Sequence, residues 1–523
     1  MRSLPGGWTV LIWMLAIARL ASAQQRPNEE ELFGAPPPDG GTPAAQAPER
    51  QSPQRPEQAT ETPASSPIVE GSEAGNERSR DQRALSLSPA ASDLFASEPA
   101  RDNPLTIGGQ IYLRSVVQVS ENQDLGNARF LLPAIVDAYF DARPSDRVRG
   151  MILGRMTYDP TLDANGANPA FGSGTSGLTL PTLPTSRNPG VGLDQLWVNF
   201  DIAHTLFVTA GRQHVKWGVS RFWNPTDFLT PQRRDPLAVF DARLGASMIK
   251  LHLPSESHGW NLYAIGLIDN AGPASTLGQL GGAIRGEITL GRGEVGVEAV
   301  FQPRRKVQTS SGQTSSGGSN WRFGLDASSA IGPLDAYAEV ALRKGTDTLH
   351  WRINPTADPS LGYLGQFESY QPTDVNAAAS GGFNTTIVLG ENNSLLVGAE
   401  YFYNSVGYDS ERYYPWLFLQ GAFQPFYTGR HYGAVYATFT SPSILGGSDS
   451  FIFTNLSNLS DRSVITRLDF LTRVLSYLYL EAYVAVHYGR HGGEFRLQVN
   501  IPDQAIFVPA PLFDAGLGVR IKI

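Results

Sequence analysis

Apolar and polar residues alternate with a period of two from about Leu105 to Ile523. Successive side chains of a β-strand point to opposite faces, so this period predicts strands and excludes helices. The final segment carries two sets of alternating positions: Phe513, Ala515, Leu517, Val519, Ile521 and Ile523 on one face, and Asp514, Gly516, Gly518, Arg520 and Lys522 on the other. Many such strands without intervening helices predict an all-β fold, a transmembrane antiparallel up-and-down β-barrel.

The connections between the strands alternate between short and long. Short turns fall at 143–146, 203–205, 291–293, 331–333 and 390–393, and long loops at 159–189, 219–241, 302–319, 345–374, 404–429 and 490–509. This arrangement is typical of an outer-membrane barrel with periplasmic turns and extracellular loops. We predict about eighteen strands, with about sixteen as the alternative. The hairpin between Ser441 and Asp461 can be drawn two ways.

Two segments precede the predicted barrel at 104–523. Residues 1–23 have the charged start, short apolar core and small-residue site, Ala21-Ser22-Ala23, of a secretory signal peptide. Residues 24–103 are rich in Pro, Ala and Glu and nearly free of aromatic residues. Such a composition cannot bury enough apolar surface to fold, so we expect a disordered periplasmic arm.

Composition excludes several classes of function. The chain has no cysteine, which removes disulfides and thiolate metal sites, and its net charge of -8 argues against nucleic-acid binding. Its eight histidines form no recognisable metal-ligand set. The carboxylate pairs Asp137/Asp141 and Glu294/Glu298 have strand spacing and are better explained as lumen lining. We therefore expect no catalysis, no metal and no cofactor.

Cationic residues concentrate in one region. Arg212, His214 and Lys216 are predicted to share the lumen face of one strand, opposite Phe207, Val215 and Trp217. The following loop adds Arg221, Arg233 and Arg234 together with the aromatic residues Phe222, Trp223, Phe228 and Phe240. A loop this apolar is expected to fold inward and narrow the pore. The candidate constriction comprises Arg212, His214, Lys216, Arg233 and Arg234, and the inward loop includes Trp217, Trp223, Asn224, Pro225 and Asp227.

Two interpretations of these charges remain open. A positive lumen wall would attract anions and raise their local concentration. Alternatively, the charges only solvate a wet wall and pair with facing carboxylates such as Asp137, Asp141 and Asp194, as is normal in porins.

The same region carries a sequence resemblance. Gly211-Arg212-Gln213, Trp217-Gly218 and Asn224-Pro225-x-Asp227 together resemble a bacterial outer-membrane porin-like family of large β-barrels. The specific similarity covers about 193–245, and only barrel character extends beyond it. The resemblance implies a channel or transporter without catalysis, and it does not identify a substrate.

We therefore expect a porin-like channel in the outer membrane of a Gram-negative bacterium, surrounded by outer-membrane lipid and passing small polar or anionic solutes. The alternative is a non-conducting outer-membrane surface or assembly protein that binds partners through its long extracellular loops and periplasmic arm. The sequence leaves open whether the barrel forms homo-oligomers and whether the arm has a periplasmic partner.

Overall fold

The structure is a computed structural model that describes most of the chain after the first hundred residues. The described ranges are 104–162, 188–230, 232–238, 243–268, 277–303, 321–346, 349–357, 363–390, 393–441, 449–501 and 506–523. The signal peptide, the arm and Phe240 lie outside these ranges, so those expectations stay predictions.

One antiparallel sheet closes on itself. Strand β1 (Leu105–Ser120) pairs with β3 (Ala134–Ser145) on one side and with β23 (Pro511–Lys522) on the other, so the first and last strands complete a barrel. The wall strands are β1 (Leu105–Ser120), β2 (Arg129–Leu131), β3 (Ala134–Ser145), β4 (Val148–Tyr158), β5 (Gly190–Ile202), β6 (Leu206–Gln213), β7 (Ala246–Ser255), β8 (Trp260–Leu267), β9 (Gly281–Leu290), β10 (Gly293–Phe301), β11 (Trp321–Ile331), β12 (Leu334–Lys344), β15 (Val375–Leu389), β16 (Asn393–Asn404), β17 (His431–Ser441), β18 (Asp449–Asn458), β19 (Ser463–Leu475), β20 (Leu478–Gly489) and β23 (Pro511–Lys522).

Strands β2 and β3 form one interrupted position in the wall. Both pair with β1, and the break between them contains Pro133, which has no N–H for the ladder. Its carbonyl still accepts a hydrogen bond from the Arg114 N–H at 2.9 Å. The nineteen strands of the sheet therefore occupy eighteen positions, which confirms the predicted barrel and the strand number preferred from sequence.

The distribution of apolar and polar residues in the barrel is inverted relative to that of a soluble protein. On the outer face Leu517 and Leu325 are 51% and 49% exposed, whereas on the inner face Arg114 and Glu339 are 3% and 0% exposed. An apolar exterior around a polar interior is the arrangement that a lipid solvent favours. Among the described residues, no helix has the length and apolar character needed to cross a membrane.

The connections follow the predicted alternation of short and long, except that the connection between β18 and β19 is short although it lies among the long ones. Turns such as Gly291-Arg292 and Gly332-Pro333 lie at one end of the barrel, called here the short-turn end. The long connections leave from the opposite, long-loop end. The ambiguous hairpin is now defined: β18 runs from Asp449 to Asn458, and the connection to β19 at 459–462 is a tight turn at the long-loop end.

Three long connections form a loop cap at the long-loop end. It contains the hairpin of β13 (His350–Ile353) and β14 (Phe367–Tyr370), the helix α1 (Tyr414–Leu419), and the hairpin of β21 (Val499–Ile501) and β22 (Ile506–Val508). Short 3-10 turns lie at Leu125–Asn127, Glu256–His258, Leu277–Gln279, Tyr363–Gln366, Glu411–Tyr413 and Glu494–Arg496. The hydrophobic centre of the cap consists of Trp351, Tyr414, Leu417 and Phe423.

A charge placed on the outer face should destabilise the barrel in lipid. Leu325 lies near the centre of β11 and pairs with Val297 and Val340, which are also exposed outward. We expect Leu325→Arg to lower the free energy of unfolding by about 2–4 kcal/mol, because the guanidinium would sit in hydrocarbon. Urea unfolding of protein refolded in phospholipid vesicles measures this loss.

Ser328→Arg is the matched control, since Ser328 pairs with Tyr337 in the inner register of the same strand. Equal losses of stability in both variants would contradict a lipid-facing exterior.

Candidate functional site

The connection between β6 and β7, residues 214–245, is called here the inward loop. Its described residues, 214–230, 232–238 and 243–245, extend across the lumen. It leaves the wall at β6 and reaches β16, which is eight wall strands further round (β7 to β12, then β15 and β16). In a barrel of eighteen positions that is nearly the opposite wall. The loop therefore passes through the interior of the barrel.

The first anchor of the loop is the carboxylate of Glu339 on β12. It accepts hydrogen bonds from the backbone N–H groups of Val219, at 2.6 Å, and Ser220, and from the Thr226 hydroxyl at 2.7 Å. The Ser220 hydroxyl also lies 2.6 Å from that of Ser380 on β15. Glu339 is fully buried, so its charge depends on these donors.

The second anchor is the carboxylate of Glu400 on β16. Three successive backbone N–H groups of the loop donate to it, those of Arg221 at 2.8 Å, Phe222 at 3.1 Å and Trp223 at 2.9 Å. The Tyr337 hydroxyl donates a further bond at 2.8 Å. Consecutive N–H groups that converge on an anion form a strong binding concavity. We call Glu339 and Glu400 with these donors the latch.

Two glycines of the sequence motif are required by this geometry. Gly218 has a φ of +92°, and a Cβ there would lie 2.6 Å from the Thr226 hydroxyl and 2.7 Å from both carboxylate oxygens of Glu339. Gly211 has a φ of +128°, and its Cβ would lie 2.1 Å from the carbonyl oxygen of Leu196. Side chains rarely adopt such φ values, and these positions have no room for one.

The Asn-Pro-x-Asp segment connects distant parts of the loop. The Asn224 side-chain amide donates to the Trp217 carbonyl at 3.3 Å, and Pro225 is buried beside it. Asp227 forms an ion pair with Arg243 at 2.8 Å, near the point where the loop rejoins the wall. The polar residues of the motif therefore stabilise the turn itself.

Aromatic residues of the loop fill the lumen on its far side. Trp223 is fully buried, stacks on Phe402 with ring centroids 5.6 Å apart, and donates its indole N–H to the Phe426 carbonyl at 3.0 Å. Phe222 meets the Tyr436 ring edge-on at 5.3 Å. The same cluster includes Val116, Leu131, Leu237, Tyr432, Ala434, Leu456, Ile465, Tyr483, Ala485 and Phe495.

Trp217 packs on the near side of the lumen instead. It belongs to a second buried cluster, and the Arg285 guanidinium lies over its ring at 5.7 Å. The other members are Phe228, Leu229, Ala246, Met248, Ile265, Leu267, Ala283, Val300 and Ala341. The inward loop is thus packed against both walls.

Arg212, His214 and Lys216 do not share one strand face, and that prediction is wrong. Strand β6 ends at Gln213, which pairs with Ala246 at the start of β7. His214 and Lys216 already belong to the inward loop. The strand period ends here because the chain must leave the wall in order to reach the latch.

Arg212 also lies in the outer register of β6. It pairs with Ser247 on β7 and with Leu196 on β5, which is 45% exposed on the outer face. Its neighbour Gly211 pairs with the fully buried Met248, so Gly211 takes the inner position. The Arg212 side chain is half-buried.

His214 faces a carboxylate. Its Nε2 lies 2.7 Å from Asp194, which also accepts an ion pair from Arg155 at 3.2 Å. Asp137 and Asp141, the other candidate partners, instead pair with arginines of β4, Arg155 and Arg149 respectively, at 2.7 Å. Charge compensation along this wall is therefore local.

Arg233 and Arg234 lie across the lumen from His214. The Arg234 guanidinium donates to the Arg221 carbonyl at 2.6 Å, and the Tyr427 hydroxyl donates to the Arg234 carbonyl at 3.0 Å. The Arg233 guanidinium lies over the Tyr427 ring at 5.2 Å. The five candidate cations therefore form two separate groups and not one cluster.

A second inserted segment, at 490–496, was not anticipated from the sequence. Glu494 is 5% exposed and accepts hydrogen bonds from the Tyr432 hydroxyl at 2.5 Å, the Asn458 amide at 2.6 Å and the Phe426 N–H. Burial, together with the nearby Asp461, raises the pKa of Glu494 to about 8.

No single local signal marked Glu339, Glu400 or Glu494 as special. Each is one polar residue among many in a lumen-facing or loop position. Within the described ranges, no group of three His, Asp or Glu residues is arranged to hold a metal ion.

Comparisons with known proteins gave structural similarity only. No family model and no curated protein matches the chain. Among solved structures, OccAB1 of Acinetobacter baumannii is 9% identical, with 80% of this chain and 96% of that one covered and a TM-score of 0.47. OprB of Pseudomonas putida is 11% identical (80% and 94% covered, TM-score 0.43). Wzi of Escherichia coli, a carbohydrate-binding barrel involved in capsule assembly, is 9% identical (79% and 84% covered, TM-score 0.44). At these TM-scores neither the fold nor the function of this chain is inferred from them.

Adding a methyl group at Gly218 should release the inward loop. We expect Gly218→Ala to cost on the order of 1–3 kcal/mol, because the new Cβ combines an unfavourable φ with a clash against Glu339. Limited proteolysis of the refolded protein should then cut within 214–245 several times faster.

Gly286→Ala is the matched control, since no atom lies within 4 Å of a Cβ at that position. Equal cleavage rates in both variants would refute the tight packing of Gly218 against the latch.

The 490–496 segment should loosen as the pH rises. The pKa of Glu494 is raised in the packed state, so the neutral carboxyl stabilises packing most below its ordinary value of 4.5. That contribution declines as the pH rises and is lost above about 8. Amide hydrogen exchange, corrected for intrinsic rates, should show falling protection of this segment between pH 6 and pH 9.

Glu494→Gln stays uncharged and should remove the larger part of this pH dependence. Asp461 acts in the same direction, because burial also raises the pKa of its carboxyl. An unchanged pH profile in Glu494→Gln would show that another group controls the segment.

Proposed function

We propose that the protein is a porin-like channel of the outer membrane of a Gram-negative bacterium, which passes small polar or anionic solutes around its inward loop. The observation that carries this proposal is the inverted barrel: an apolar exterior encloses a lumen of buried charges, and one loop, fixed by the latch, crosses it. A polar lumen is a feature of water-filled barrels. In this proposal the long-loop end faces outward and the short-turn end faces the periplasm.

We retain the preference for anions proposed from the sequence, but assign it to two separate groups of residues. Passing solutes would meet Arg233 and Arg234 on one side of the lumen and His214 and Lys216 on the other, where His214 is paired with Asp194. Arg212 is less suited to contact a passing solute, because its position in β6 is in the register of the outer face. Fixed positive charge on a lumen wall favours anions.

The aromatic filling of the lumen favours a second function. The buried cluster around Trp223 occupies the side lined by β16 to β20, and the loop cap covers the long-loop end of the barrel. A non-conducting surface or assembly protein, binding partners through its long loops, would also be built this way.

Single-channel recording separates the two functions. The refolded full chain is added to a planar lipid bilayer in a salt gradient, and discrete current steps are expected if it conducts. The reversal potential then reports whether anions are preferred. An absence of current steps from correctly refolded protein would contradict the channel proposal and favour the non-conducting alternative.

Weakening the latch should widen the passage. We expect the double variant Glu339→Gln, Glu400→Gln to raise the single-channel conductance and its noise about twofold or more, because each carboxylate is replaced by an amide that accepts the loop N–H groups more weakly. The current through single channels in a planar bilayer measures this change.

Asp335→Asn removes a charge from an exposed position at the start of β12 and serves as the control. A latch variant with the conductance of this control would show that the loop does not limit the current.

A further inference from the structure

We propose that Arg233 and Arg234, with Arg221 beside them, form a binding site for a small solute that carries an oxyanion, a carboxylate or a phosphate. This inference rests on the proposed channel function and names the chemistry of its solute. The site is called here the arginine site, and Tyr427 and Tyr436 form its aromatic floor.

The three arginines are held together by the loop and by tyrosine faces. The Arg221 guanidinium lies over the Tyr436 ring at 4.0 Å, and that of Arg233 lies over the Tyr427 ring at 5.2 Å. Arg234 donates to the Arg221 carbonyl at 2.6 Å. A guanidinium stacked on an aromatic face keeps the N–H donors at its edge available for a planar oxyanion.

Charge near the site is not balanced by free carboxylates. Among the described residues of the inward loop and its anchor on β16, four arginines, Arg221, Arg233, Arg234 and Arg243, stand against the three acidic residues Asp227, Asp235 and Glu400. All three acids are already engaged: Asp227 with Arg243, Asp235 with the Leu237 N–H at 2.9 Å, and Glu400 with the loop N–H groups.

Arg233 and Arg234 take no part in these carboxylate contacts. In the part of the chain that the structure describes, neither forms an ion pair with a carboxylate, although Arg234 is only 7% exposed. Elsewhere in the lumen the pattern is the opposite, since Arg285 alone contacts Glu287, Glu298 and Asp326.

An oxyanion would compensate this charge. A buried guanidinium is costly unless it is paired and hydrogen-bonded, and a carboxylate or phosphate accepts two parallel N–H bonds from one fork. Guanidinium groups on two successive residues suit a compact anion better than a neutral sugar or a cation. The arginine site would thus concentrate oxyanionic solutes next to the inward loop.

Binding can be measured without relying on conduction. The refolded full chain in detergent is titrated calorimetrically with succinate, with inorganic phosphate and with succinamide, the neutral analogue of succinate. We expect succinate or phosphate to bind and succinamide not to bind, and the tighter of the two anions identifies the preferred oxyanion. Failure of both anions to bind wild-type protein overturns the proposal.

Substitutions test whether Arg233 and Arg234 bind the anion. Arg233→Gln and the double variant Arg233→Gln, Arg234→Gln are expected to weaken anion binding by about tenfold or more, the loss of one charge-assisted contact. Arg292→Gln, on an exposed turn at the short-turn end, should bind like wild type. Arg233 is exposed, so its single variant tests the site even if the double variant misfolds.

The results also distinguish this site from the channel. Anion binding that depends on Arg233 in a protein without current steps would retain the site and reject the channel. Current steps together with binding that is unchanged in both arginine variants would retain the channel and reject the site.

Discussion

The inward loop depends on hydrogen bonds between two carboxylates and a run of backbone N–H groups. A chain segment that leaves a sheet loses its ladder partners, and its N–H groups need new acceptors once they are buried. Glu339 and Glu400 supply those acceptors, and their own buried charges are stabilised by the same donors. Neither the loop nor the carboxylates would be favourable in the lumen alone. The aromatic packing of Trp217 and Trp223 follows from this placement.

Most other charged side chains in the lumen form ion pairs with neighbouring residues of the wall, and Arg233 and Arg234 differ from them. Arginines of β4 and β9 meet carboxylates on the adjacent strands, so their positive charge is compensated within the wall. At the far end of the inward loop Arg233 rests on the Tyr427 ring and Arg234 donates to a backbone carbonyl, and neither forms an ion pair with a carboxylate among the described residues. Among the described residues, Arg233 and Arg234 thus form a charged feature that pairing within the barrel wall does not explain.

The barrel could be predicted from the sequence and the latch could not, for one physical reason. The period of two is a local property, so the closed sheet and its inverted faces could be predicted from the residues alone. The acceptors of the loop lie 120 and 179 residues further along the chain, and on their own strands they look like any polar lumen residue. The motif glycines, Gly211 and Gly218, mark the departure from the wall, but their positive φ values appear only in the structure. Extending β6 through His214 and Lys216 was the resulting error.

The separation between the inward loop and its acceptors sets an order of assembly. The loop follows the fifth wall position, whereas β12 and β16 are the eleventh and thirteenth, counting β2 and β3 as one. Until those later strands are added, the N–H groups of 219–223 have no wall carboxylate to meet. The loop therefore becomes fixed only when the opposite wall is in place. Fixing of the inward loop thus depends on strands that lie more than a hundred residues further along the chain.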